Sequence, residues 1–202
     1  MVTVGDMSSS FVTRGLVLLL GTGALLGCHA GSTQPLFTPE DVVTPLPAVQ
    51  GTFQQEGEKG SRLTIEPHSA TSYKVVFTTD DGTAPLVVVP FTLKGVTGKT
   101  FVDAQLMEDA STKGVLPYVV RPHFLLAAEI KDDALTLWPV DSDFIKGHRG
   151  SRGFPSSTAI GNGESTFVLF TDETKALRNA IKKYAGQPKT WAKPVVFRRV
   201  KS

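Results

Sequence analysis

The feature that most restricts the fold is a two-residue alternation of apolar and polar side chains, repeated in short runs from about residue 48 onward. Tyr73, Val75 and Phe77 alternate with Lys74 and Thr78, although Val76 breaks the polar side. Leu63 and Ile65 alternate with Arg62, Thr64 and Glu66. Successive side chains on a strand point to opposite faces, so these runs predict half-buried strands; a helix would repeat its apolar positions every three or four residues. Residues 86–94, 101–107, 124–130, 134–140, 166–170 and 191–200 continue the series. Asp81-Gly82 and Lys131-Asp132-Asp133 predict hairpin turns between them. Pro90 and Pro194 lack the N–H that a central strand donates, so each predicts a local edge or bulge.

One segment has helical spacing. Leu177, Ile181 and Tyr184 form an apolar stripe with Ala176 and Ala180 beside it, Asp172 is placed to cap the start, and Gly186 and Pro188 end it. This predicts a helix near 172–185. Lys175, Arg178 and Lys182 line another face, which reads as a solvated surface or as a contact for anionic lipid or cell wall. The fold class that follows is mainly β with one C-terminal helix, an antiparallel sheet curled into a barrel or half-barrel. Nineteen glycines and thirteen prolines suit such a turn-rich domain. A domain of about 155 residues buries close to 68–70% of its unfolded surface and needs no disulfide, and the single cysteine excludes an intrachain one.

That cysteine closes a different kind of segment. Arg14 precedes an apolar run over 15–27 that ends in Leu25-Leu26-Gly27-Cys28. The run is short for a bilayer core of about 30 Å, and a positive charge, an apolar stretch and a small residue form a signal-peptide layout. Met7 gives a cleaner start than Met1, because Asp6 is out of place ahead of the basic residue. Leu25-Leu26-Gly27-Cys28 resembles the lipobox of bacterial lipoproteins. The resemblance implies cleavage between Gly27 and Cys28, and diacylglyceryl and acyl groups (palmitate among them) on Cys28 as a stable membrane anchor. It implies a cell-envelope location facing the periplasm or cell surface. His29, which is not acidic, points to the outer membrane if the cell is Gram-negative. The expected organisation is a signal peptide over 1–27, a lipidated N-terminus and Pro-rich tether over 28–47, and one β-rich domain over 48–202. The domain resembles small β-rich lipoproteins in architecture, which implies no activity.

Sites of known chemistry are scarce. The net charge of +2 gives no field that argues for nucleic acid. Gly95-Val96-Thr97-Gly98-Lys99-Thr100 imitates the end of a phosphate-binding loop, but Leu93 stands where the first glycine is required and a strand follows. His29, His68, His123 and His148 have no metal-ligand spacing. A metal site from His68, His123, His148 and Asp103 requires the fold to gather them, so no metal and no cofactor is expected. Glu108 and Asp109, Asp132 and Asp133, and Asp141 and Asp143 read as turn residues and not as a catalytic pair. No Gly-x-Ser-x-Gly elbow is present. Residues 141–165 read as a long, mobile, basic loop. Lys146, His148, Arg149 and Arg152 in it are candidates to hold a phosphate or carboxylate, against the plainer reading of a flexible connection.

The expectation is therefore a noncatalytic, membrane-anchored binding or structural domain with a possible envelope component as its partner, and not an enzyme. The alternative is a lipocalin-like carrier of an apolar ligand; a hydrolase built on His123 or His148 with an Asp is a third. A carrier requires an apolar cavity of some hundreds of Å³. A structural domain has a filled core.

Overall fold

The computed structural model describes residues 30–44, 47–80, 82–107, 121–160 and 167–201. Its strands are β1 (Ala30–Ser32), β2 (Gly51–Gln55), β3 (Arg62–Ser69), β4 (Ser72–Thr79), β5 (Gly82–Phe91), β6 (Thr100–Leu106), β7 (Phe124–Lys131), β8 (Ala134–Pro139), β9 (Ser157–Ile160), β10 (Phe167–Phe170) and β11 (Val195–Arg199). Two α-helices, α1 (Ser142–His148) and α2 (Thr174–Tyr184), lie between β8 and β11. No helix among the described residues is long and apolar enough to cross a membrane.

The protein is mainly β, as the alternation predicts. Strands β2 to β8 pair antiparallel in chain order, and β11 pairs with both β8 and β2 to close an eight-stranded barrel. The predicted inward residues do face inward. Leu63 and Ile65 of β3 sit opposite Phe77 and Val75 of β4, and all four are buried in the barrel core. Their polar neighbours Arg62, Thr64 and Glu66 point outward. Phe53, Phe77, Phe124 and Phe197 fill part of the interior, with the Phe77 and Phe197 rings edge to face at 6.4 Å.

Pro90 fits within β5 for a local reason. The pairing of β4 with β5 ends at Tyr73 and Val88, so Pro90 pairs only with Val102 of β6. Its carbonyl accepts from Val43 N–H at 3.0 Å, so its missing donor falls on the side that β4 does not reach. On β3, the strand runs through His68 to Ser69, with a register shift between Pro67 and Ser69.

Three outcomes differ from the sequence expectation. Residues 30–44 are not a free tether. β1 pairs in parallel with β10, Ser32 bridges to His123, and Val42 bridges to Phe91. Leu36 is buried among Phe91, Leu93, Phe101 and Ala127 on the outer wall of the barrel. Prolines set an extended path, but the apolar side chains between them find a wall to cover. Gly31 marks the closest approach: a Cβ there would lie 2.8 Å from the Pro122 Cβ. Residues 141–160 are likewise not a mobile loop. Asp141 accepts from Phe144 N–H at 2.8 Å to cap α1, and β9 joins β10 and β1 in a three-stranded sheet. Its remaining part, 161–165, lies outside the described residues. Finally, α2 starts after Glu173, and Asp172 instead accepts from Ser156 N–H at 2.8 Å. The stripe of α2 is as predicted: Leu177, Ile181 and Tyr184 are buried, packed over the barrel wall and the 30–44 segment.

Candidate functional site

The barrel interior is not completely filled. A cavity of about 780 Å³ lies partly within it and continues outside along Trp138, Trp191 and Pro194; its inner part is lined by apolar side chains that include Leu63, Ile65, Val75, Leu86, Leu126 and Leu137. Its size comes from small inward residues. Ala104 stands between Val88 and Phe124, and Ala128 between Thr100 and Leu137. The four phenylalanines of the core do not line it, so they fill one part of the barrel and leave the other open. An eight-stranded barrel has room either for its own side chains or for one small ligand, and this volume falls within the usual range for ligand sites.

The end of the barrel at the start of β2 is held by one arginine. Arg199, opposite Phe53, places its guanidinium 4.5 Å from that ring. It donates to the Gln50 carbonyl at 2.5 Å and also to the Ala48 carbonyl. These bonds fix the short 3-10 turn Pro47–Val49, whose Val49 lines the cavity. Gly51 has φ +128°, and a Cβ there would come within 2.6 Å of the guanidinium. A side chain at 51 would therefore displace the clamp.

The cavity reaches the surface at the side. Pairing of β6 with β7 ends at Thr100 and Ala128, while β7 continues to Lys131. At this notch the lining passes from inward Val102, Ala128 and Ile130 to the rim residues Thr44, Lys99, Thr100 and Glu129, and then to Trp191. Among the described residues, Lys99 and Glu129 are the only charged ones lining it.

A second constellation lies on the outer wall. His123 Nδ1 is 2.8 Å from Asp103 Oδ1, and Asp103 is 2% exposed. The other Asp103 oxygen accepts from Leu36 N–H at 2.9 Å. The Gln105 amide lies 3.2 Å from His123 Nε2 and also donates to the Arg121 carbonyl. With Nδ1–H donating to Asp103, Nε2 accepts from Gln105. Both ring nitrogens are thus engaged, and the group fastens the N-terminal segment to β6 and β7. The other two predicted histidines are elsewhere: His68 is exposed on β3, and His148 stacks on Phe144 at 4.2 Å, with Nδ1 2.8 Å from the Phe144 carbonyl oxygen. Among the described residues no three His, Cys, Asp or Glu converge as a metal site.

The predicted basic residues do not converge either. His148 turns in to Phe144, Phe154 and Tyr184. Lys146 pairs with Asp143 at 3.5 Å on the surface of α1, and Arg149 and Arg152 are exposed. Asp141 is occupied in capping, and Asp132, at φ 52°, turns the β7–β8 hairpin. Gly27, Cys28, Glu108 and Asp109 lie outside the described residues. The 95–100 segment is a turn that leads into β6, with no helix to face a phosphate.

A further buried acid joins the N-terminal segment to α2. Asp41 accepts from Arg178 at 2.6 Å and from both the backbone N–H and the hydroxyl of Thr38, at 2.9 and 2.7 Å. Burial raises its pKa, but the Thr38 and Arg178 contacts together outweigh this and hold the carboxyl below its ordinary value. A lowered folded pKa contributes stability that is complete above the unfolded value near 3.9 and is lost as pH falls through the folded one. The stability difference between the wild type and Asp41→Asn is therefore expected to be largest near neutral pH and to shrink below about pH 4. Urea denaturation of both proteins at pH 7 and pH 3 measures it; a constant difference contradicts this account of Asp41.

The sequence contained a usable signal for the cavity, namely alanine at inward positions 104 and 128, but it has meaning only once the strands are known to close on one another. No protein-family model, no curated protein and no solved structure matches this chain.

Proposed function

We propose that this chain is a noncatalytic carrier that holds an apolar small molecule in its barrel, tethered to the cell envelope through a lipid on Cys28. The observation that carries the reading is the apolar cavity of about 780 Å³ with its side opening. A purely structural domain would gain stability by filling that space, since each vacant methylene position costs dispersion and transfer energy. The engagement of both His123 nitrogens supports a noncatalytic role over the hydrolase alternative. Ala30 is already part of the fold, two residues after Cys28. Two residues span at most about 7 Å, so on this reading the barrel stands at the membrane surface with no spacer.

The cavity is tested by titration with an environment-sensitive apolar dye. The wild type is expected to bind one equivalent. Ala128→Trp places an indole at the notch and is expected to weaken binding at least tenfold, with an overpacking cost of about 1–3 kcal/mol or less. Absence of dye binding in the folded wild type refutes the carrier. The anchor is tested separately by labelling cells with a fatty acid: wild type is expected to carry label and Cys28→Ala none. Equal label on both ends the lipid-anchor reading.

A further inference from the structure

Two opposite charges stand at the notch without pairing. Phe101 and Ala127 are opposed residues that face outward beneath α2. Thr100 and Ala128 are the last pair of the β6–β7 ladder; Lys99 immediately precedes the first and Glu129 immediately follows the second, so the two charges flank the end of the ladder. A cation and an anion so placed would ordinarily form a cross-strand pair. Here the Lys99 ammonium lies 5.3 Å from the centroid of the Trp191 ring instead, and Glu129 has no ion pair among the described residues. Both line the same cavity whose inner wall is apolar.

From this we infer that the ligand is an amphiphile with a zwitterionic head: its chain lies in the barrel, its head-group anion meets Lys99, and its ammonium meets Glu129. The inference rests on the carrier reading and adds the ligand class to it. A purely apolar ligand leaves both charges unused. A simple carboxylate satisfies Lys99 but sets a like charge beside Glu129. A zwitterion matches both signs, and the Trp191 face adjoining Lys99 offers an aromatic surface that also favours cations. The head remains at the rim, where water solvates what the protein does not contact. Its recognition therefore gives modest selectivity, while the buried chain supplies most of the affinity.

The test uses the mature full chain and three amphiphiles of equal acyl length: a lysophosphatidylcholine, a fatty-acid anion and a monoacylglycerol, each displacing the apolar dye below its micelle concentration. The zwitterion is expected to bind about three- to tenfold more tightly than either of the others at low salt, a span set by weakly screened, partly exposed ion pairs. Lys99→Met and Glu129→Gln are each expected to remove most of that preference. Both should lower monoacylglycerol affinity less than zwitterion affinity, because its head carries no charge. Equal binding of all three amphiphiles by the wild type overturns the inference, as does preference for the fatty-acid anion or a preference that survives both substitutions. Each of these results leaves the carrier intact, because the dye still binds. Loss of dye binding in the wild type removes both readings together.

Discussion

Replacing Asp103 with alanine is expected to lower the free energy of unfolding by about 3 kcal/mol, because two donors lose one buried acceptor together. The carboxylate receives Leu36 N–H through one oxygen and His123 through the other, at 2.9 and 2.8 Å, and is 2% exposed. Without the carboxylate the Leu36 N–H and the His123 Nδ1–H lose their acceptor, and each buried donor left unsatisfied costs about 1–3 kcal/mol; the part exposure of His123 keeps the sum at about 3 kcal/mol. The effect has a location as well as a size. Ser32 bridges to His123, and the backbone bonds between them in both directions are 2.8 and 2.9 Å. Hydrogen exchange is therefore expected to rise first across residues 30–37, before the barrel opens. Asp103→Asn is expected to recover part of the loss, since one amide oxygen still accepts. A denaturation midpoint for Asp103→Ala equal to the wild type, at unchanged slope, refutes the clamp.

A loss of comparable size is expected for Arg199→Ala, at about 2–4 kcal/mol. The guanidinium covers the Phe53 face and serves the Gln50 and Ala48 carbonyls. Cation–π contact contributes about 0.5–2 kcal/mol and a hydrogen bond from a charged donor about 1.5–3 kcal/mol, less where water reaches it. Arg199→Lys is expected to restore less than half, because an ammonium on a flexible stem lacks the planar fork that reaches two carbonyls at once. The consequence extends to binding: without the clamp the turn Pro47–Val49 loses its fastening, and Val49 no longer closes the cavity. Weaker dye binding together with lower stability is the expected signature. A stability loss with unchanged binding disconnects Arg199 from the cavity.

Much of the barrel was legible before any coordinates. Period two at Leu63, Ile65, Tyr73, Val75 and Phe77 is a local property of the chain, and it fixes which side chains share a face whatever the partner strand. The stripe of Leu177, Ile181 and Tyr184 is local in the same sense, and α2 follows it. The Asp132 turn is local too. The cap of α2 shows the limit: Asp172 has the right chemistry in the right place, but Ser156, 16 residues away, holds its carboxylate.

The site was not legible, for a physical reason that recurs at each residue. His123 reads as a lone histidine until β6 brings Asp103 beside it, and its role depends on Leu36, 67 residues from that aspartate. His148 reads as part of a basic loop until Phe154 and Tyr184 enclose it. Prolines between 35 and 47 suggest a tether because extension is a local preference, whereas the burial of Leu36 against Phe91 and Phe101 is a distant gain that outweighs it. Alternation determined by itself that this chain makes half-buried strands with one covering helix. Whether they enclose space or fill it was decided only in three dimensions, since a cavity is a sum over residues from six strands, and no one of those residues is unusual alone. Lys99 and Glu129 follow the same rule: thirty positions apart they are two ordinary surface charges, and only the pairing of their neighbours Thr100 and Ala128 brings them to one opening.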